Sequence, residues 1–324
     1  MRVALAGLGS AAFRGHLPAI ARLQRHGRLA LVGAADPDPA RRAVAATRLD
    51  GVPLFADAEK MLAAVGAEVL VVASSPDCHG RLIDLGARHG KHVVCEKPLT
   101  LTAAEYEAVA STFGGAGSPA LVPVHQYRYS PTWRWLARAG RLANRLRRPF
   151  SLDVDVWRDG SDRGAVGSWR TDPSASGGML ADHGVHFLAL GWTISPDLEV
   201  VRSARHWNRE RRERSAIELR LGSGRLRINL NAAAPDRSTK MDLRLPGGSL
   251  SWHDSRARVV VGGRTLHGWS TAAISDRAHI DTLHAALYGD LTANLGRHGW
   301  RTARTGEAMT VGRTLVVLLE RDRS

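Results

Sequence analysis

The sequence predicts two domains of different class, an α/β domain with a parallel sheet over residues 1–124 and an α+β domain with a mainly antiparallel sheet over residues 125–324. Three observations predict it. Up to residue 124, short apolar runs alternate with segments of helical periodicity, the pattern of βαβ units. Later in the chain, strict apolar/polar alternation takes over, as in half-buried strands joined by tight turns. Composition divides in the same way, because all nine tryptophans lie beyond residue 132. A length of 324 residues suits two domains of roughly 100–200 residues each.

In the first part, strands are expected at Arg2–Ala6, Leu29–Ala35, Val69–Ser74, His92–Cys95 and Ala120–Val124. These runs are β-branched or continuously apolar, as buried parallel strands are. Helical periodicity marks Pro39–Leu49, His79–His89 and Ala103–Thr112. The pattern breaks at Gly114-Gly115-Ala116-Gly117-Ser118-Pro119, and the last parallel strand follows, so the boundary is placed near residue 124.

In the second part, helical segments near Ser130–Ala143 and Met179–Thr193 flank a strand at about Phe150–Trp157. Ile217, Leu219 and Leu221 then alternate with Glu218 and Arg220, Leu226, Ile228 and Leu230 with Arg227 and Asn229, and Leu243 and Leu245 with Asp242 and Arg244. Turns at Gly222-Ser223-Gly224 and Pro246-Gly247-Gly248 make hairpins of them. The sheet therefore has one apolar and one charged face. Helices over Ile274–Leu295 and Gly306–Arg321 end the chain, the last free to pack back on the first domain.

Composition excludes several classes. No stretch approaches the roughly 18 uninterrupted apolar residues of a membrane span. Met1–Gly7 runs straight into a strand and a glycine turn, without the apolar region of a secretory signal, and only Cys78 and Cys95 are present. A cytoplasmic protein with reduced thiols and no membrane partner is expected. The formal charge of +14 first suggests nucleic acid. Residues 1–125 hold 13 basic and 11 acidic side chains, whereas residues 126–324 hold 32 and 20. The arginine-rich run Arg202–Arg214 is interrupted by Glu210 and Glu213 and lies between strands, so it reads as a solvated hairpin rather than a nucleic-acid site.

Gly7-Leu8-Gly9-Ser10-Ala11-Ala12 fits the G-x-G-x-x-[G/A] pattern between a strand and a helix. The first Gly permits the turn, the second admits a pyrophosphate against the backbone, and Ala12 lets helix and strand pack closely. Asp36 ends the second strand, where a carboxylate binds a ribose 2′-OH and repels a 2′-phosphate. NAD is thereby favoured, while Arg41 and Arg42 keep NADP open. The competing reading makes Asp36 a cap for the next helix, with Pro37 and Pro39 at its start.

Two further segments stand out: Gly90-Lys91-His92-Val93-Val94-Cys95-Glu96-Lys97-Pro98-Leu99 and Gly177-Gly178-Met179-Leu180-Ala181-Asp182-His183-Gly184-Val185-His186. With the glycine loop, and with Tyr127-Arg128-Tyr129-Ser130-Pro131, they resemble the Gfo/Idh/MocA oxidoreductases, the family of glucose–fructose oxidoreductase and inositol dehydrogenase. The resemblance implies a Rossmann domain followed by a domain with an open, mainly antiparallel sheet, and a dehydrogenase or reductase acting on a sugar, nucleotide sugar or cyclitol. It implies Lys97, Asp182 and His186 as catalytic groups, with His186 the principal acid/base, Lys97 a proton donor and oxyanion stabiliser, and Asp182 an orienting group or substrate ligand. Ser74, Pro76, His79, Glu96 and Lys97 join the glycine loop and Asp36 at the cofactor, although His79 also suits a plain helix start. Tyr127, Arg128 and Trp169 join the catalytic groups at the substrate.

The residues themselves agree with this chemistry. Hydride transfer at a carbinol carbon needs a proton moved on or off oxygen. Lys97 ends a parallel strand, where ligands of open α/β sheets bind, and Glu96 is placed to hold it. Asp182 and His186 are four apart and share a helix face, while His183 points to another. Ala189 departs from the family, many of whose members carry Asp there, which bears on support of that helix or on substrate choice. No metal site is expected, since His183 and His186 lack a clustered third ligand. Two alternatives stand beside the dehydrogenase: a non-catalytic dinucleotide sensor or scaffold, and reduction of an imine instead of a ketone. Family members commonly associate through the open sheet face, so a homodimer or homotetramer with a polar, ion-paired or unusually small interface is expected, and the arginine-rich half suits an anionic substrate.

Overall fold

A computed structural model describes residues 1–113, 115, 118–159, 172–270 and 277–321. The chain divides into two compact units. Unit 1 joins Met1–Gln126 to Ile280–Met309, and unit 2 joins Tyr127–His279 to Thr310–Ser324. Residues 280–309, which the sequence reading assigned with the rest of 125–324, thus group with the first unit.

Unit 1 runs β1 (Arg2–Ala6), α1 (Leu17–Arg25), β2 (Ala30–Ala35), α2 (Pro39–Ala46), β3 (Leu54–Phe55), α3 (Ala58–Ala64), β4 (Val69–Val72), α4 (His79–Arg88), β5 (His92–Cys95), α5 (Ala103–Phe113) and β6 (Leu121–Pro123). A π-helical turn, Ala12–His16, leads into α1. The six strands are all parallel, in the order β3-β2-β1-β4-β5-β6. The order reverses between β1 and β4, and the carboxyl ends there form the crevice in which such sheets bind ligands. Every residue of β4 is buried, which explains its unbroken apolar run. Periodicity overlooked β3 and α3, since a two-residue strand carries no pattern. Asp38, not Asp36, caps α2: its carboxylate accepts the Ala40 N–H at 2.8 Å, with Pro39 at the first helical position.

Unit 2 holds α6 (Pro131–Arg145), β7 (Phe150–Trp157), the short α7 (Pro173–Ser176) and α8 (Val185–Ile194), which a π-helical turn over Leu180–Gly184 precedes. Seven strands follow: β8 (Glu199–Trp207), β9 (Glu213–Leu221), β10 (Gly224–Asn231), β11 (Ser238–Leu245), β12 (Gly248–His253), β13 (Arg256–Val261) and β14 (Arg264–Ser270). With β7 they form one sheet in the order β14-β13-β12-β11-β7-β10-β9-β8. Both predicted hairpins are present, as β9–β10 and β11–β12. One pair, β7 with β10, is parallel. Phe150, Leu152, Val154 and Val156 of β7 are buried while Ser151, Asp153 and Asp155 are partly exposed, so this strand repeats the two-faced alternation of its neighbours. Helices α6 and α8 pack on the apolar face, where Trp133 and Phe187 meet with ring centroids 5.5 Å apart.

Two helices end the chain, α9 (Arg277–Asn294) and α10 (His298–Glu320). The second starts eight residues earlier than periodicity placed it. No helix among the described residues is long and apolar enough to cross a membrane.

Candidate active site

The glycine loop follows β1. Gly7 has φ +99°, and a Cβ there would lie 2.6 Å from the backbone of Ala73 and Ser74 at the end of β4. Only glycine fits this approach. A Cβ on Gly9 would instead meet only Arg41 Nη1, at an ordinary contact distance of 3.8 Å. The Phe13 N–H donates to Gly9 O at 3.2 Å and starts the helical turn. A tight turn, an uncovered second glycine and a helix start are what a pyrophosphate requires, so these residues fit a dinucleotide.

Asp36 is buried at the end of β2. Its Oδ2 accepts the Leu8 N–H at 2.7 Å and its Oδ1 accepts the Asp38 N–H at 2.9 Å, so one carboxylate ties the glycine loop to the start of α2. Arg41 lies 3.6 Å from Asp36 Oδ2, and Arg42 donates to Asp36 O at 2.7 Å. At the start of α4, His79 lies between two carbonyls, with Nδ1 2.7 Å from Pro98 O and Nε2 3.2 Å from Ser74 O. Burial lowers its pKa, against the opposing pull of both carbonyls. His79 thus fastens the Ser74–Pro76 segment to the Lys97-Pro98 peptide, which is cis.

Glu96 departs from its expected role of holding the Lys97 ammonium. Its Oε2 accepts the Lys97 backbone N–H at 3.2 Å, and its Oε1 turns inward, 3.1 Å from His16 Nε2 and 3.8 Å from His284 Nε2. Burial would raise the Glu96 carboxyl, but the two imidazoles outweigh it and hold it well below the usual range. His284 is raised: burial opposes its charge, yet Glu96 wins, and its Nδ1 donates to Ile280 O at 3.0 Å. His16 is lowered, because burial outweighs Glu96 there. A neutral His16 then donates from Nε2 to Glu96 and accepts at Nδ1 from the Tyr288 hydroxyl, 2.7 Å away. His16, Glu96 and His284 also offer ligand atoms within 4.8 Å of one another, a metal-compatible spacing. Their protons already satisfy the set as an ion-paired network. Sequence reading missed His16, His284 and Tyr288.

In unit 2, Asp182 stands in the π-helical turn and His186 in the first turn of α8. His186 is buried, its ring 4.2 Å from that of Tyr127. Tyr127 is buried as well, its ring centroid 5.9 Å from that of Trp133, and it packs directly beside His186. His183, expected on a different face, has Nε2 3.7 Å from Asp182 Oδ2. Ala189 is buried in α8, where an aspartate would need a buried partner. Trp169 lies outside the described residues.

The family comparisons divide as the chain does. A model of an oxidoreductase family with an NAD-binding Rossmann fold matches residues 1–122, and the C-terminal α/β domain of the same oxidoreductase family matches residues 141–254. The chain belongs to the Gfo/Idh/MocA family. Its first unit is that family's NAD-binding fold, and its second carries the mainly antiparallel sheet. Inositol 2-dehydrogenase 1 of Saccharopolyspora erythraea is 33% identical over 110 residues, 34% of this chain and 33% of the relative. The chain spans about a quarter to a half of the length of the curated relatives it matches. An oxidoreductase from Thermotoga maritima has a TM-score of 0.79 at 16% identity, covering 98% of this chain and 95% of that one. The WlbA dehydrogenase from Bordetella pertussis, in complex with NADH and UDP-GlcNAcA, has a TM-score of 0.74 at 21% identity, covering 100% and 97%. These two likenesses show that the chain shares the fold of both proteins.

Proposed function

We propose that the protein transfers hydride between nicotinamide C4 and a secondary alcohol or ketone of a sugar, nucleotide sugar or cyclitol. The observation that carries this is the joint presence of Glu96-Lys97-Pro98 at a strand end and Asp182 and His186 at a helix start in a Gfo/Idh/MocA chain. The substrate class draws on the relatives named for inositol and on the neighbour holding UDP-GlcNAcA. When bound, the nicotinamide supplies or accepts the hydride. The chain handles the proton on the substrate oxygen. In this reading Lys97 donates it and stabilises negative charge, His186 acts as the principal acid/base, and Asp182 orients the substrate or an imidazole. Arg128 is placed by the reading to grip an anionic substituent. The protein works in the cytoplasm as a homodimer or homotetramer.

Titration with NADH and NADPH, followed by an alcohol and ketone panel, tests this. Lys97→Ala should lower kcat by about 10²–10⁴-fold, a larger change than any accompanying loss of dinucleotide affinity. Unaltered turnover would remove Lys97 from the mechanism. Tight dinucleotide binding without turnover on any member of the panel would point to a sensor instead.

A further inference from the structure

One carboxylate of unit 2 stands on the wrong side of its strand. In β9, Glu213, Ser215, Ile217, Leu219 and Leu221 share the buried face, and Glu213 has no exposed surface at all. A buried carboxylate is costly unless each oxygen is paired. Here both are. Oε2 accepts the Met179 N–H at 2.7 Å and lies 3.4 Å from the Leu180 N–H, the first donors of the helical stretch that carries Asp182 and His186. Oε1 accepts from the Ser215 hydroxyl. Arg205 completes the pair, with Nη2 donating to Oε2 at 3.0 Å and Nε 3.0 Å from Oε1.

Arg205 reaches further. Its Nη2 also donates to Gly177 O, and its guanidinium lies 4.8 Å from the Trp207 ring centroid. The ion pair therefore grips both flanks of Gly178, through the carbonyl before it and the N–H after it. Gly178 has φ +72°, and a Cβ there would overlap the Glu213 carboxylate, the Arg205 guanidinium and Trp207. The second glycine of the Gly-Gly-x-x-x-Asp-x-Gly-x-His stretch leaves room for this clamp.

Helix N-termini need acceptors for their first N–H groups, and side chains close in sequence usually provide them. Locally, Ser176 Oγ accepts the Gly178 N–H at 3.1 Å, but the side chain at the N-cap of the Leu180–Gly184 turn, Met179, makes no capping hydrogen bond. Its acceptor comes from a different element, the sheet. Such a clamp fixes both where the helix begins and how it is rotated, and so where Asp182 and His186 stand, three and seven residues after Met179.

We propose that Glu213, held by Arg205, is a positioning residue that sets the helix bearing Asp182 and His186; its effect on turnover rests on the hydride-transfer reading above. Glu213→Gln keeps the shape and removes the charge. It should lower kcat about 10–100-fold, the scale of an ångström misplacement of a reacting group. The Kd for NADH should stay within about twofold, because a change confined to positioning acts on turnover and not on ground-state cofactor binding. Gly178→Ala should produce the same loss, and the double variant should be no worse than the worse single one. Ser215→Ala, which removes one hydrogen bond only, should show a smaller loss in the same direction.

Hydrogen exchange of the same variants reads the positioning separately from turnover. Glu213→Gln should increase exchange over 179–194 while 224–231 in β10 keeps its protection. Unchanged exchange over 179–194 overturns the clamp whether or not a substrate has been found. Increased exchange over both segments reduces Glu213 to general support of the unit and overturns its positioning role, as does unchanged kcat on a substrate the wild type turns over. Wild-type protein that turns over nothing, with exchange raised only over 179–194, sinks the hydride-transfer reading and leaves the clamp standing.

Discussion

The carboxylate of Asp36 has two neighbours of opposite consequence. The Leu8 N–H at 2.7 Å keeps it facing the glycine loop, and Arg41, half exposed at 3.6 Å, is a cation that a 2′-phosphate would seek. Removing the carboxylate frees Arg41 and deletes the acceptor for a ribose hydroxyl. Asp36→Ser should weaken NADH about tenfold, the worth of one hydrogen bond to a charged group, and strengthen NADPH, as read by fluorescence titration. An unchanged preference would show that another residue discriminates. Asp36 was legible because its spacing from the glycines is a local property of one βαβ unit. Glu213, which the sequence reads as part of a solvated hairpin, is instead fully buried in β9; its signal was a carboxylate in phase with Ile217, Leu219 and Leu221 on an alternating strand. His16 and Tyr288 stand 272 residues apart, and no pattern along the chain announces that they meet.

Elements differ in the same way. Strands whose neighbours set their environment, such as β4 and β9, were visible in composition alone, whereas the parallel pairing of β7 with β10 depends on a connection that periodicity does not encode. Glu96 joins three elements: the π-helical turn through His16, the end of β5 through its own backbone, and α9 through His284. Their titration makes this junction testable. His284 is raised above the ordinary 6.5, so its contribution to stability is whole below 6.5 and is lost as pH rises through its folded value. His16 is lowered and has the opposite sign, its contribution being present above 6.5 and lost as pH falls through its folded value. Glu96 is held far below 4.5, so its contribution persists until strongly acid pH. Because the two histidines oppose each other, a wild-type melting curve mixes them, while comparison with His284→Gln separates them. The excess thermal stability of wild type over His284→Gln should shrink as pH rises above 6.5. An excess that grows with pH would contradict the His284–Glu96 ion pair.

At the scale of the molecule, the formal charge of +14 is distributed in a way that bears on association. On the charged face of the large sheet, cations are matched by anions of neighbouring strands. Asp153 takes Arg227 at 3.1 Å and Arg244 at 3.0 Å, and Glu218 takes Arg225 at 3.3 Å, while within β11 Asp242 takes Lys240 at 2.9 Å. Arg220 lies 3.6 Å from Glu199, and Asn229 donates to Asp155 at 2.8 Å. A face so paired offers nucleic acid little uncompensated charge, despite the arginine content. Two copies meeting through it would exchange half-exposed ion pairs for pairs across the interface, each worth about 1 kcal/mol or less and open to screening. The homo-oligomer proposed above should therefore be salt-sensitive, with light scattering showing a smaller mean mass at roughly 0.5 M than at roughly 0.05 M salt, as the screening length contracts severalfold. Asp153→Asn, which leaves Arg227 and Arg244 facing each other without their shared anion, should shift the assembly toward monomer at low salt. An oligomer indifferent to both salt and Asp153→Asn would place the contact on another surface, and a strict monomer at both salt concentrations would remove the assembly altogether.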